Sequence, residues 1–275
     1  MRRFRLLSET ADFFSDHGSP DSSFSLDNQK FYLWQRDLTE KEYEKLLKES
    51  QKALLQEKTV FCFPCDSLPK AFFFDMDATV IRQESIVELA RAAGKEKEVS
   101  YVTERAMAGE IDFKDALKER VATLKGLSSD IFEKTIGNLT LQPGISELAQ
   151  FALDKGIKLY LVSGGFLELA AGIGKELGFN GVHANSLEVV GGVLTGKTSG
   201  LIVDAAEKAS FVASKMAECG WLAEDVVVVG DGANDKEMMG LGAIKVGFRP
   251  KNALIPYVNG AVFQGDHRLL AKILG

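Results

Sequence analysis

The 275-residue chain contains no apolar stretch near the roughly 20 residues that a membrane-spanning helix needs, so nothing in it reads as a transmembrane segment. It also lacks a surplus of basic residues. Lysine and arginine number 33 against 39 aspartate and glutamate, a net charge of −6. That balance argues against nucleic acid or an anionic membrane as the main partner. The N-terminus opens Met1-Arg2-Arg3 but has no apolar run behind it, because Ser8, Glu9, Thr10 and Asp12 follow at once. No export signal is read there, and a cytoplasmic location is expected. Cysteines are few: Cys62, Cys65 and Cys219. The Cys62-x-x-Cys65 pair lacks a second pair for a zinc site. A turn at 66–69 stands where a redox motif would carry a helix, so this stretch reads as a linker.

What the chain does have is the makings of a large folded core. Hydrophobic residues make up 45% and charged residues 26%, ordinary proportions for a globular protein of this length. Residues 1–69 read as a separate, small N-terminal α+β segment of unknown role. Within it 15–28 is a loop, Phe31–Trp34 a short strand and 40–57 a helix with one apolar face. From residue 70 onward, apolar runs at 71–74, 157–162, 226–229 and 243–246 alternate with helical stretches. That is the pattern of an α/β fold with an open, parallel, Rossmann-like sheet. Gly156, Gly178 and Gly220 stop helices over 144–155, 164–177 and 205–219. Asp204 and Glu207 are spaced as a capping box for the last of these, and 187–194 reads as a hairpin turning on Gly191-Gly192. Residues 85–140 are too many for a simple crossover. Gly94, Gly109 and Gly126 divide them into about four helices. The expected organisation is therefore a core of 70–84 and 141–275, with 85–140 inserted as a helical cap. Placed after the first core strand, that cap lies over the carboxyl edge of the sheet, where ligands of such folds bind.

Four segments carry residues suited to chemistry. Ala71-Phe72-Phe73-Phe74 runs straight into Asp75-Met76-Asp77-Ala78-Thr79. Residues i and i+2 of a strand share a face, so Asp75 and Asp77 project together. Two like charges there need a cation, a proton or a substrate group to resolve them. Val226–Val229 likewise runs into Gly230-Asp231-Gly232-Ala233-Asn234-Asp235. Gly230 and Gly232 match two glycines of a dinucleotide loop, but Asp231 would repel a pyrophosphate and Asp235 replaces the third glycine. A Mg2+ site suits the composition better, with Asp75, Asp231 and a carbonyl near Asp77 as oxygen ligands. The strand at 157–162 ends in Ser163-Gly164-Gly165, either a plain strand-to-helix turn or a helix N-terminus offering N–H groups to a phosphate. Lys208 falls in the first turn of a helix, where the dipole disfavours a cation. An i,i+4 pair with Asp204 accounts for it locally; a phosphate neutralised beside the aspartates accounts for it functionally.

In order and spacing these segments resemble the haloacid dehalogenase-type phosphohydrolases. Asp75–Thr79 stands for the D-x-D-x-T loop, Ser163 for the serine motif, Lys208 for the lysine and Gly230–Asp235 for the acidic motif. The likeness extends to the phosphoserine phosphatases within that superfamily. It is carried by Asp75–Val80 with Glu84, Glu104–Met107, Leu117–Val121, Val162–Phe166 and Gly230–Asp235, and covers about residues 70–275. Ala78 departs from it, standing where that family usually has Ser. Residues 1–69 show no clear match to the regulatory domains some relatives carry.

The resemblance implies Mg2+-dependent hydrolysis of phosphoserine to serine and phosphate, the last step of phosphorylated serine biosynthesis. Asp75 is then the nucleophile, Asp77 the proton donor and acceptor, and Lys208 the third catalytic residue. Asp75, Asp77 and Asp231 hold the metal, with Asp235 in support. Ser163, Gly164, Gly165 and Asn234 line the substrate site. In the cap, Phe113, Ala116, Leu117, Arg120 and Leu124 form one helical stripe. Arg120 on that stripe is either a snorkelling side chain or a bidentate partner for an amino-acid carboxylate. Glu84 suits a helix start in any case; in the family it receives the substrate ammonium, while Met107 and Phe113 serve as apolar walls. The expected partner is a small phosphomonoester, with neither nucleic acid nor membrane, and the chain a monomer or homodimer. The rival readings are the same chemistry on another phosphomonoester, phosphoryl transfer to another hydroxyl, a phospho-Asp signalling domain, and a non-catalytic binding module.

Overall fold

The computed structural model describes residues 1–107 and 110–275, apart from the side chains of Glu104, Ala106 and Met107. Its strands are β1 (Arg2–Ser8), β2 (Ser22–Leu26), β3 (Gln29–Leu38), β4 (Val60–Pro64), β5 (Ala71–Phe74), β6 (Lys158–Phe166), β7 (Gly181–Val190), β8 (Val193–Ser199), β9 (Val226–Gly230), β10 (Ile244–Phe248) and β11 (Gly260–Val262). The helices are α1 (Glu40–Leu54), α2 (Ser85–Ala92), α3 (Glu96–Met107), α4 (Phe113–Ala122), α5 (Ile131–Ile136), α6 (Ile145–Asp154), α7 (Leu167–Glu176), α8 (Ala205–Cys219), α9 (Lys236–Met239) and α10 (Arg268–Leu274). No helix among the described residues is long and apolar enough to cross a membrane.

The fold is α/β, built on one sheet in the order β2-β3-β1-β4-β11-β10-β9-β5-β6-β7-β8 among the described residues. Its centre, from β11 to β7, is parallel. The strand β5 forms there because three phenylalanines satisfy both faces at once. Phe72 and Phe74 stack at 5.5 Å in one apolar cluster, while Phe73 stacks on Tyr160 at 5.0 Å in the other. The valines of β9 divide in the same way, Val227 and Val229 to one side and Val226 and Val228 to the other. Gly191 and Gly192, with φ of 59° and 78°, make the tight turn between β7 and β8, as a two-residue hairpin requires.

Several local expectations change. The stretch 15–28, expected as loop, carries β2, and the Cys62–Cys65 stretch, expected as linker, is mostly β4 with both cysteines buried. The strand β6 does not stop at Val162 but continues through Ser163-Gly164-Gly165 to Phe166, with a bulge between Val162 and Phe166 and with Phe166 paired to Asn185. The following helix starts at Leu167, not at Gly164, because Asn185 Nδ2 donates to the Gly164 carbonyl at 2.8 Å and keeps that backbone extended. The capping box of α8 is half made: Asp204 accepts from Glu207 N at 2.9 Å, and the Glu207 carboxylate turns instead to His183 at 3.2 Å. Finally, residues 1–69 do not stand apart. The strand β4 pairs antiparallel with β11 and carries β1, β3 and β2 outward on the same sheet. The Phe61 ring occupies the space a Cβ at Gly260 would need, 2.2 Å from its position. Leu7, Phe31, Phe61 and Phe63 share a cluster with Phe72, Phe74 and Phe248, so the core runs on without a break.

Between β5 and β6 lie α2 to α5. They form their own apolar cluster of Ile86, Leu89, Val99, Leu117, Val121, Leu124 and Ile131, closed against Phe166 and Leu169. The two chain passages into these helices are tied side by side. Arg82 N donates to Thr140 O at 2.9 Å and Thr140 N to Gln83 Oε1 at 3.0 Å.

Candidate active site

The chain order reverses between β5 and β9, since β6 and β7 extend the sheet one way and β10 and β11 the other. Such a switch point opens a crevice beyond the carboxyl ends of the strands. Asp75 follows β5 and Asp231 follows β9, so the two acidic loops meet in that crevice.

Lys208 enters it from the first turn of α8, fully buried. Its ammonium donates to Asp75 Oδ1 at 2.5 Å and to Asp235 Oδ1 at 2.9 Å. The i,i+4 pairing with Asp204 is not made; Asp204 pairs instead with Lys114 of α4 at 2.9 Å. Burial opposes the charge on Lys208, but Asp235 and Asp75 outweigh it and hold the ammonium above the usual lysine range. Two carboxylates thus overcome the unfavourable helix dipole.

Asp235 joins the acidic loop to the lysine. Its Oδ2 accepts from the N–H groups of Asp231 and Gly232, both at 3.1 Å. Asp75, Asp231 and Asp235 are all buried, with carboxylate oxygens within 4.8 Å of one another. Burial pushes the Asp75 carboxyl well up; Lys208 pulls it down, and Asp235, Asp231 and Asp77 add to the rise. Burial also raises Asp231, with Lys251 acting against it from 3.1 Å. A divalent cation would relieve this crowding, and the donors fit one. Asp235 is spent on Lys208 and two amides, but Asp75 Oδ2, Asp231 Oδ1 and the Asp77 carbonyl accept no hydrogen bond among the described residues. Three hard oxygens suit a small divalent cation, which completes its coordination with water and phosphate.

Asp77 differs from its neighbour. It makes no bond to Lys208, and its Oδ2 accepts from Ser85 Oγ at 2.8 Å while Oδ1 is buried without a partner among the described residues. Burial, then the charge of Glu84, push its carboxyl up to about 7, with Ser85 working against the rise. Ser163 is buried, its Oγ accepting from Gly165 N at 2.9 Å. Gly165 has to be small: a Cβ would lie 2.6 Å from Ser85 Oγ. The Phe113 ring closes on Gly164, 3.3 Å from where a Cβ would stand. Arg120 is half-buried and, among the described residues, its guanidinium makes one bond, from Nε to Ala116 O on its own helix. Burial lowers its guanidinium, and Glu84 and Asp77 are near enough to act the other way.

The structure therefore brings Asp75, Asp77, Lys208, Asp231, Asp235, Ser163, Gly164 and Gly165 together, with Phe113, Arg120 and Glu84 at their edge. Asn234 is not drawn in: it is exposed, its Oδ1 lying over Gly232. The Met107 side chain lies outside the described residues. Ser85, Asn185, Lys251, Gln142 and His267 take part without any sequence signal, because each reaches the site only through the tertiary fold.

Comparison with known proteins agrees with this geometry. Residues 72–240 match the haloacid dehalogenase-like hydrolase family. The phosphoserine phosphatase of Archaeoglobus fulgidus is 41% identical over 201 residues, covering 73% of this chain and 58% of that protein. The chain thus spans less than two thirds of that relative's length. A haloacid dehalogenase family hydrolase of Salmonella enterica serovar Typhi has the same fold, with a TM-score of 0.84 at 23% identity over 99% of this chain and 98% of that one. The structure of a phospho-aspartyl intermediate analogue of phosphoserine phosphatase is 34% identical, with a TM-score of 0.69 over 75% of this chain and 99% of that one. The chain belongs to the haloacid dehalogenase-like hydrolases. Within them, its likeness at 41% and 34% identity is to phosphoserine phosphatases.

Proposed function

We propose that the chain is a cytoplasmic, Mg2+-dependent phosphatase that converts phosphoserine to serine and phosphate, the last step of phosphorylated serine biosynthesis. The observation that carries this reading is Asp75, a buried carboxylate with one oxygen on Lys208 and the other free of donors among the described residues. A carboxylate so held is oriented for attack and kept from collapsing onto a neighbouring N–H.

In this reading an Asp75 oxygen forms a bond to phosphorus as the phosphorus–serine oxygen bond breaks. Asp77 gives its proton to the departing serine oxygen, a role suited to a carboxyl raised to about 7. Asp77 then accepts a proton from the water that attacks the aspartyl-phosphate, and the Asp75–phosphorus bond breaks to release phosphate. Lys208 offsets charge on the phosphoryl oxygens, and Ser163 with the Gly164–Gly165 backbone cradles them. Asp75, Asp231 and the Asp77 carbonyl would hold Mg2+, which supplies phosphate orientation and charge neutralisation. The substrate name on the two relatives and the nearness of Arg120 to Glu84 support an amino acid as the leaving group. Arg120 is proposed to take its carboxylate and Glu84 its ammonium.

The test is phosphate release from phosphoserine, phosphoethanolamine and phosphoglycolate, with Mg2+ and with chelator. Phosphoserine with Mg2+ is expected to turn over fastest, and the chelator to stop all three. Undiminished turnover in chelator, or fastest turnover of phosphoglycolate, which lacks an amine, would sink the reading.

A further inference from the structure

Two carbonyls of the catalytic loop are held by side chains from distant parts of the chain. Gln142 Nε2 donates to Ala78 O at 3.0 Å, and His267 Nε2 lies 2.8 Å from Thr79 O. A carbonyl only accepts, so the proton sits on His267 Nε2. The imidazole is fully buried and stacked on Phe248, with centroids 4.0 Å apart and planes 6° from parallel. Its Nδ1 is buried without a partner among the described residues. Burial holds the ring down to a pKa of about 4, so it is neutral.

The two prongs are built as one piece. His267 N donates to Pro143 O at 3.2 Å. Gly144 packs so closely on Asp266 that a Cβ would stand 2.3 Å from its Oδ1. Asp266 is fixed in turn by Arg268, through N at 2.9 Å and Nε at 3.0 Å.

The loop has reason to need them. Ala78 has a φ of 57°, a left-handed conformation that is strained for an L-residue with a side chain. Its own N–H makes only a long bond, 3.3 Å to Gln83 O. Met76 O accepts from Thr79, Val80 and Ile81, and Val80 O from Gln142 N at 2.8 Å. Of the carbonyls from Met76 to Val80, that of Asp77 alone has no donor among the described residues.

We propose that Gln142 and His267 are positioning residues for the phosphatase reaction. Together they clamp the Ala78 and Thr79 carbonyls so that the left-handed turn persists and Asp77 faces the phosphoryl group. Neither side chain touches the substrate. This rests on the function proposed above, and its test separates the two.

Wild-type phosphoserine hydrolysis is measured first; if it is absent, the substrate reading fails while the clamp is still judged by amide exchange in residues 77–81. In Gln142→Met, which keeps the volume and removes the donor, kcat is expected to fall about tenfold with KM within about twofold, because a small misplacement of a reacting group is costly. Exchange in 77–81 should quicken about tenfold while the remaining strand amides stay protected, a local loosening. His267→Gln, which keeps a donor at similar reach, should hold both readouts within about threefold of wild type, and His267→Leu should not. Unchanged kcat and exchange in Gln142→Met would overturn the clamp. So would equal losses in His267→Gln and His267→Leu.

Discussion

Asp75 and Asp77 are one residue apart, yet their surroundings assign them different work. Asp75 is bound to an ammonium and Asp77 to a hydroxyl. Lys208 therefore works against the rise that burial gives Asp75, while Asp77, raised to about 7 and without an ammonium on it, is left able to carry a proton. Arg120 extends the same reasoning to the substrate. Removing it in Arg120→Ala should raise KM for phosphoserine about 10- to 100-fold, the worth of a charge-assisted bond. Phosphoethanolamine, which has no carboxylate, should be hydrolysed as before; equal losses on both substrates would remove Arg120 from recognition. His267 gives a prediction about stability. Its pKa is about 4 in the folded chain against an ordinary 6.5, so the unfolded chain takes up a proton first as pH falls. The stabilisation is complete above 6.5 and is lost as pH falls through about 4, totalling about 3 kcal/mol at 1.36 kcal/mol per pH unit. Urea unfolding of wild type against His267→Gln between pH 7 and 4 should show that difference shrinking. A constant difference would mean the ring is not buried neutral. Asp75, Asp77 and Asp231 were legible because carboxylates crowded behind apolar strands are local facts, although β5 ends at Phe74 and Asp77 lies in the turn beyond it, not on a strand face shared with Asp75. The partners of Lys208 were not: the local reading favoured its neighbour Asp204, and only the fold brought Asp75 and Asp235 to it.

The elements show where local reading succeeds and where it stops. Apolar runs announced β5, β9 and β10, and α8 began and ended where its caps said it would. The end of β6 misled, since Ser-Gly-Gly before an apolar stretch also looks like a helix start. Asn185 decided the matter by holding Gly164 O and Val203 N at once, each at 2.8 Å. That ties the extended cradle to the entrance of α8 and hence to Lys208. The catalytic loop carries a cost that one substitution can expose. Ala78 sits at a φ of 57°, and Ala78→Gly should raise unfolding stability by about 1 kcal/mol, since glycine adopts that region freely. A loss of stability would show that the Ala78 methyl packs usefully and that the turn is not strained.

At the scale of the whole molecule, the N-terminal segment is the part its own sequence described least well. Its helix and the strand β3 were visible, but β1, β2 and β4 were not, and neither was its attachment, because nothing local says that β4 will pair with β11 at the far end of the chain. Its side chains complete both apolar clusters beneath the catalytic sheet. Removing residues 1–69 should therefore leave 70–275 poorly soluble or lower-melting, because large apolar faces of the core would be uncovered. A soluble fragment with the full-length melting temperature would contradict that view. The central claim, that Asp75 carries the phosphoryl group, is tested most directly by acid quench. The chain is mixed with labelled phosphoserine and Mg2+, stopped within milliseconds, digested and mapped. The account predicts acid-stable, hydroxylamine-labile label on the peptide containing Asp75, and none in Asp75→Asn. Steady phosphate release without label on that peptide, or undiminished release by Asp75→Asn, would contradict it.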